Sequence, residues 1–217
     1  MSTSLIPAND TELLEVSEGL RALRARTDHK MVVRMETHFV GDTETTWRTT
    51  YDASLAPQAD VHNARAVANA ADERVRRSLR RATRLIKGDD ESLKSSLIRQ
   101  SLGGVAPSAL RQLGRRARVL RLRGLIAAIT SRTELAGALD ELPELTAATE
   151  ELNAAETALD VAVQAARAAV DARKAAKVAF LKGYKGFVNA LRGDPSAPSL
   201  DTLLPVFTRS SDGGAGA

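Results

Sequence analysis

The chain has 217 residues, enough for one sizeable core or two small ones, and its Lys/Arg excess leaves a net charge of only +4. Aromatics make up 3% of residues against 43% apolar overall, so the core is built mainly of Ala, Leu and Val, which suits close-packed helices better than sheets. There is no Cys, which excludes disulfides and thiolate metal sites.

The opening "MSTSLIPANDTELLEV" lacks the basic start and apolar run of a signal peptide, and no run of about eighteen apolar residues occurs. The expected location is the cytoplasm. The small net charge conceals a partition. Residues 1–55 carry 6 Lys/Arg against 9 Asp/Glu, residues 56–123 carry 16 against 6, and residues 124–217 carry 9 against 12. A basic middle is flanked by acidic ends.

Pro7, Pro57, Pro107 and Pro143 each precede a long polar–apolar segment, and Pro is favoured in the first turn of a helix. Four helical segments are predicted, near 8–55, 57–102, 107–141 and 143–192. The fold expected is all-α: an elongated antiparallel bundle of three to four long helices over 1–193. An extended or disordered C-terminal arm follows over 194–217.

Within the first segment, "MVVRMETHFVGDTETTWRTTYD" at 31–52 has Thr, Val, Trp and Tyr around a central Gly-Asp, which would suit a β-hairpin with strands near 31–39 and 43–51. Helical spacing is present too, in Met31, Met35, Phe39 and in Trp47, Tyr51, Leu55. The proline spacing favours a continuous helix here.

The second segment contains "RVRRSLRRATRLIK", seven cations in fourteen residues with no acid. At 100° per residue, Val75, Leu79, Ala82 and Ile86 form a core stripe. Arg74, Arg76, Arg77, Arg80, Arg81, Arg84 and Lys87 fall on the opposite side. Rows Val61, Ala68, Val75, Ala82 and Ala64, Ala71, Ser78, Leu85 mark a packing seam. A break is expected at "KGDDES", with Gly88 closing one helix and Asp89 or Asp90 opening the next, and Gly103–Gly104 ends that shorter piece. The third segment adds Arg111, Arg115, Arg116, Arg118, Arg121 and Arg123. Its apolar residues divide between Leu110, Leu113, Ala117, Leu120, Gly124 and, opposite, Val119, Leu122, Ile126, which predicts burial on both sides.

The acidic counterpart is Glu134, Asp140, Glu141, Glu144, Glu150, Glu151, Glu156 and Asp160. The last helix, about 75 Å long at 1.5 Å per residue, carries a row of small residues: Ala148, Ala155, Ala162, Ala169, Ala176, Gly183 and Ala190. Beside it runs the row Leu145, Leu152, Leu159, Ala166, Arg173, Phe180, Phe187. Such a seven-residue repeat admits a close partner helix in a left-handed coiled coil. In the arm, Leu203, Leu204, Val206 and Phe207 would be free to dock on a neighbour.

The stretch "FLKGYKGFVNALRGDPSAPSL" resembles the C-terminal helix of uncharacterised bacterial Ala-rich helical-bundle proteins over about a tenth of the chain. The resemblance implies a bacterial, all-helical setting and no activity. It ends after Pro198, where "DTLLPVF" replaces a short Phe-Gly tail.

Catalytic signatures are missing. His29, His38 and His62 show neither HExxH nor ExxH spacing, and "SLGGVAPS" lacks the Lys-Ser/Thr of a phosphate loop. No enzyme, metal, cofactor or small-molecule site is therefore expected. The expected function is a structural or scaffolding subunit that self-associates into a homo-oligomer, its Arg faces meeting the acidic face of the next copy, in a ring or filament. The alternative is a sequence-nonspecific, nucleoid-type nucleic-acid-binding protein that sets the same Arg faces on phosphates.

Overall fold

A computed structural model describes residues 2–26, 30–87 and 91–209. The fold is all-α, with eight α-helices among the described residues and two three-residue strands. No described helix is long and apolar enough to cross a membrane. The chain divides into two compact units. Unit 1 takes the residues up to Ala56 and from Arg167 onward, and unit 2 takes Pro57–Ala166.

Unit 1 contains β1 (Ser2–Ser4), α1 (Asp10–Ala25), α2 (Lys30–Phe39) and α3 (Thr43–Ala53). The expected continuous helix over 8–55 is therefore three helices. Asn9 caps α1 by accepting from the Glu12 N–H at 2.8 Å, while Glu12 reaches back to the Ala8 N–H at 2.7 Å, a reciprocal capping arrangement. The hairpin alternative at 31–52 is not adopted. Its Gly-Asp pair acts instead as a helix break: Gly41 adopts φ +48°, its N–H reaches back to the Glu36 carbonyl, and the Thr43 hydroxyl bonds the Val40 carbonyl. The stripe read from Met31 and Phe39 is not the core face. Both are exposed, and α2 buries Val32 and Glu36.

A buried ionic cluster explains that rotation. The Arg24 guanidinium on α1 donates two bonds to Glu36, at 3.0 and 2.6 Å, and one to Glu44 on α3, at 3.1 Å. Both carboxylates are fully buried, and Ser17 donates to Glu44 as well. These contacts raise the Arg24 pKa, the Glu36 hydrogen bond most of all. Sequence reasoning missed this cluster, because Glu36 and Glu44 read as ordinary surface acids.

Unit 2 contains α4 (Leu55–Lys87) from Pro57 onward, α5 (Glu91–Ser101), a 3-10 segment (Pro107–Gln112), α6 (Arg115–Ser131) and a second 3-10 segment (Thr133–Glu141). α4 ends at Lys87 and α5 begins at Glu91, and the break expected between them, with Gly88, Asp89 and Asp90 as caps, lies outside the described residues. Gly103 and Gly104, at φ +64° and +85°, end α5 as anticipated. The expected single helix over 107–141 is three pieces. Its burial is also one-sided: Leu122, Leu125 and Ile129 enter the core, while Leu120 is 67% exposed.

The core of unit 2 joins Ala68, Val75, Ala82 and Ile86 of α4 to Leu122 and Leu125 of α6 and to Leu145, Ala148 and Leu152. The last three begin α7 (Leu142–Gly193), an unbroken helix of 52 residues that supplies residues to both units. In unit 1 it supplies Phe180, Tyr184 and Phe187, which pack with Trp47, Leu13 and Leu20.

The chain then continues through α8 (Leu200–Leu203) to β2 (Phe207–Arg209), which pairs antiparallel with β1, Ser4 opposite Phe207. Up to Arg209 (210–217 lie outside the described residues), the arm expected to be extended and free is therefore folded onto its own unit. Leu203, Leu204 and Phe207 are buried there, because three large apolar groups on a short segment are driven into the nearest core. Only Val206 stays exposed.

Candidate polyanion interface

The amphipathic pattern of α4 is realised as read. Val75, Ser78, Leu79, Ala82 and Ile86 are buried, and Arg77, Arg80, Arg81 and Arg84 are exposed. What the sequence could not assign was the partner of each cation. Much of the acidic stretch answers the Arg-rich helices within the same chain, through pairs some thirty to eighty residues apart.

Arg74 on α4 grips Glu144 with a two-pronged contact at 2.8 and 3.0 Å and also bonds Glu151. On α6, Arg115 reaches Glu156 at 2.7 Å, Arg116 meets Asp160, and Arg123 forms a fork on Glu150 at 3.0 and 2.8 Å. Glu141 accepts from the Ser78 hydroxyl at 2.8 Å. Planar guanidinium and carboxylate groups match in such forks, which makes them more directional than Lys pairs. The bond from Arg74 holds the Glu144 carboxyl below its ordinary value, and Arg123 does the same for Glu150. Reciprocally, the hydrogen bonds that Arg74 donates to Glu144 and then to Glu151 raise its pKa. For these residues, the expectation that the acid would come from the next copy is corrected. The shared α7 brings the acids alongside α4 and α6, and the nearest carboxylates are taken first.

Arg118 is different in kind. It is buried, and it was expected on the contact face. Its Nε donates to the Leu110 carbonyl at 3.1 Å and its Nη2 to the carbonyls of Arg111 and Leu113, while Nη1 bonds Asp72. Burial lowers its pKa, against an opposing pull from Glu156. Asp72 also holds Arg76 at 2.8 Å, one helical turn away, so this carboxylate bridges two guanidiniums. Arg118 therefore anchors the 3-10 segment and is not available to a partner.

Once these pairs are drawn, a smaller set of cations remains. Arg77, Arg80, Arg81, Arg84, Arg111 and Arg121 have no carboxylate within 4 Å among the described residues. The first four form a ridge on the outer face of α4, spanning about 10 Å at 1.5 Å per residue. Arg77 and Arg81 still act on Glu144 through space, and both line a cleft of about 180 Å³ beside Arg74. Arg121 lies across Gly103, where a Cβ would collide with its guanidinium. Of the acids, Glu134 and Asp140 are exposed and meet no cation among the described residues, as does the apolar Leu139 between them, 48% exposed.

The small-residue row of α7 faces neighbours at both ends. Ala148 and Ala155 lie in the core of unit 2 and Ala176 in that of unit 1, while Ala162, Ala169 and Ala190 are half-buried. At Gly183 a Cβ would lie 2.4 Å from the Phe39 carbonyl oxygen, so the close approach of α2 requires glycine there.

Among the described residues no catalytic geometry assembles around His38 or His62, and His29 lies outside those residues. His38 packs edge-on against Phe39 with ring centres 4.9 Å apart, and His62 stands alone on α4. No group of three His, Asp or Glu among the described residues is placed to hold a metal ion. Comparison with family models, curated proteins and solved structures yields no match to this chain.

Proposed function

We propose that the chain is a non-enzymatic binding protein whose α4 ridge, Arg77, Arg80, Arg81 and Arg84, contacts the phosphate backbone of nucleic acid without reading sequence. The observation that carries this reading is selective pairing. Arg74 and Arg76 before the ridge, and Arg115, Arg116 and Arg123 on α6, are neutralised by carboxylates of the same unit, whereas these four are exposed on one face with no carboxylate within 4 Å among the described residues. Like charges one turn apart repel, so such a row is stabilised by an external polyanion. Along the ridge's roughly 10 Å, one strand of a duplex presents about three phosphates at 3.4 Å each. No aromatic residue lies among the ridge positions 74–87 to stack on bases, which accords with backbone contact only.

The test is fluorescence anisotropy with labelled duplexes of two unrelated sequences, titrated with salt. Both should bind alike, with log K falling against log salt at a slope of roughly −3 for three neutralised phosphates. The variant Arg77→Glu/Arg81→Glu/Arg84→Glu should not bind. Failure of the native chain to bind at low salt, or equal binding by the variant, would overturn the reading.

Self-association is the second reading, and one observation favours it: Glu134, Leu139 and Asp140 are all exposed, and the two carboxylates, which no cation among the described residues takes, are open to a second copy. Light scattering separates the two. A nuclease-resistant oligomer that dissociates on reversing the ridge supports assembly, while a monomer that grows only with added nucleic acid supports the first reading.

A further inference from the structure

A cleft of about 430 Å³ opens in unit 2 between α4 and the 3-10 segment Pro107–Gln112. Its size is ordinary for a small-molecule site. Buried Val75, Leu79 and Leu110 form the apolar part of its lining, with Arg118 beside them. Arg80 from α4 and Arg111 from the 3-10 segment, both exposed, stand at its rim. Arg76 completes the basic wall. Of these four guanidiniums only two are answered: Asp72 bonds Arg118 and Arg76, and Glu73 makes a longer contact with Arg76 at 3.7 Å.

We propose that this cleft binds a small phosphate monoester with a compact apolar body. Three features point to that chemistry. First, the rim guanidiniums of Arg80 and Arg111 have no carboxylate partner among the described residues, and a phosphate dianion neutralises both where a carboxylate neutralises one. Second, Arg76 adds a further positive charge to the wall of the cleft, held in place by Asp72 at 2.8 Å. Third, the apolar lining gives an organic body something to contact that inorganic phosphate lacks. The scaffold is preorganised: Arg118, tied to Asp72 and to three carbonyls of residues 110–113, holds the segment that carries Arg111. The site goes beyond the α4 ridge: it shares Arg80 with it, but Arg77, Arg81 and Arg84 are not among its lining residues.

Isothermal titration of the full chain with phenyl phosphate tests the proposal, with inorganic phosphate and benzoate run alongside. Phenyl phosphate should bind saturably at one equivalent, and the other two at least about tenfold more weakly. Arg80→Gln/Arg111→Gln should weaken phenyl phosphate by about tenfold or more. These two side chains are exposed and have no carboxylate partner, so the variant should retain the native circular dichroism spectrum. Arg77→Gln/Arg84→Gln should lose duplex binding and keep phenyl phosphate within about twofold, which separates this site from the ridge. No saturable binding of phenyl phosphate, or equal binding by Arg80→Gln/Arg111→Gln, would overturn the proposal. Inorganic phosphate or benzoate matching phenyl phosphate would overturn the ligand class.

Discussion

Replacing Arg24 with Met should cost unit 1 far more than replacing any cation of the Arg-rich helices α4 and α6 that pairs at the surface. The two carboxylates that Arg24 holds, Glu36 and Glu44, are both fully buried, and Met removes three hydrogen bonds from them at once. Arg21 remains near Glu44 at 3.4 Å, but its side chain is half exposed and it does not reach Glu36. Removing one partner from a buried pair costs about 3–5 kcal/mol, because a charge is left without compensation. With a urea dependence of about 2 kcal/mol per molar, the midpoint should fall by roughly 1.5–2.5 M. The protein has a single Trp, Trp47, buried in this unit, so its fluorescence reports unit 1 directly. Adding Glu36→Gln to the Arg24→Met background should recover part of the loss, because it removes one orphaned charge. A midpoint shift below about 0.5 M, or no recovery on adding Glu36→Gln, would refute the claim that this cluster is desolvated and coupled.

Other consequences follow from single contacts. Gly183→Ala should destabilise unit 1 by about 1–3 kcal/mol in the same fluorescence assay, since its Cβ would meet the Phe39 carbonyl at 2.4 Å and either α2 or α7 must shift. Phe207→Ala should cost about 3 kcal/mol by removing a buried ring from the end of the chain, whereas Val206→Ala, at an exposed site, should change stability little. Glu144 and Glu150 have pKa values lowered in the folded state, so their contribution is present above the ordinary carboxylate range near 4.5 and is lost as pH falls through the lowered values. Thermal unfolding followed between pH 6 and 3 should therefore show a steeper acid loss in the native chain than in Glu144→Gln/Glu150→Gln. Equal slopes would show that these pairs add nothing.

The readable part of the fold was the part set by local chemistry. The stripe of Val75, Leu79, Ala82 and Ile86 was correct because a helix repeats every 3.6 residues whatever lies elsewhere in the chain. The stop at Gly103–Gly104 was correct because glycine takes the positive φ that ends a helix locally. Errors came where a second element decides the outcome. Met31 and Phe39 read as core because they are large and apolar, but Arg24 turns the Glu36 face of α2 inward. Leu203, Leu204 and Phe207 read as a free arm because they follow the helix-breaking "GDPSAPS", and nothing in that stretch announces that the core of unit 1 takes them in or that β1, two hundred residues earlier, pairs with Phe207. On α6, Arg118 looked like its neighbours. Only the position of Asp72 and the carbonyls of 110–113 made it a buried anchor.

By itself, the sequence determined that the chain is helical, that Gly103–Gly104 ends a helix, and that one face of α4 is cationic, since composition, Gly placement and helical period act over a few residues. Tertiary structure decided which of those cations are spoken for. A guanidinium and a carboxylate must come within hydrogen-bonding distance for their charges to offset, and that distance depends on how α7 lies along α4 and α6 rather than on spacing in the chain. Arg74, Arg115, Arg116 and Arg123 thereby became internal ties. Arg77, Arg80, Arg81 and Arg84, equal to them in the sequence, were left as the exposed ridge.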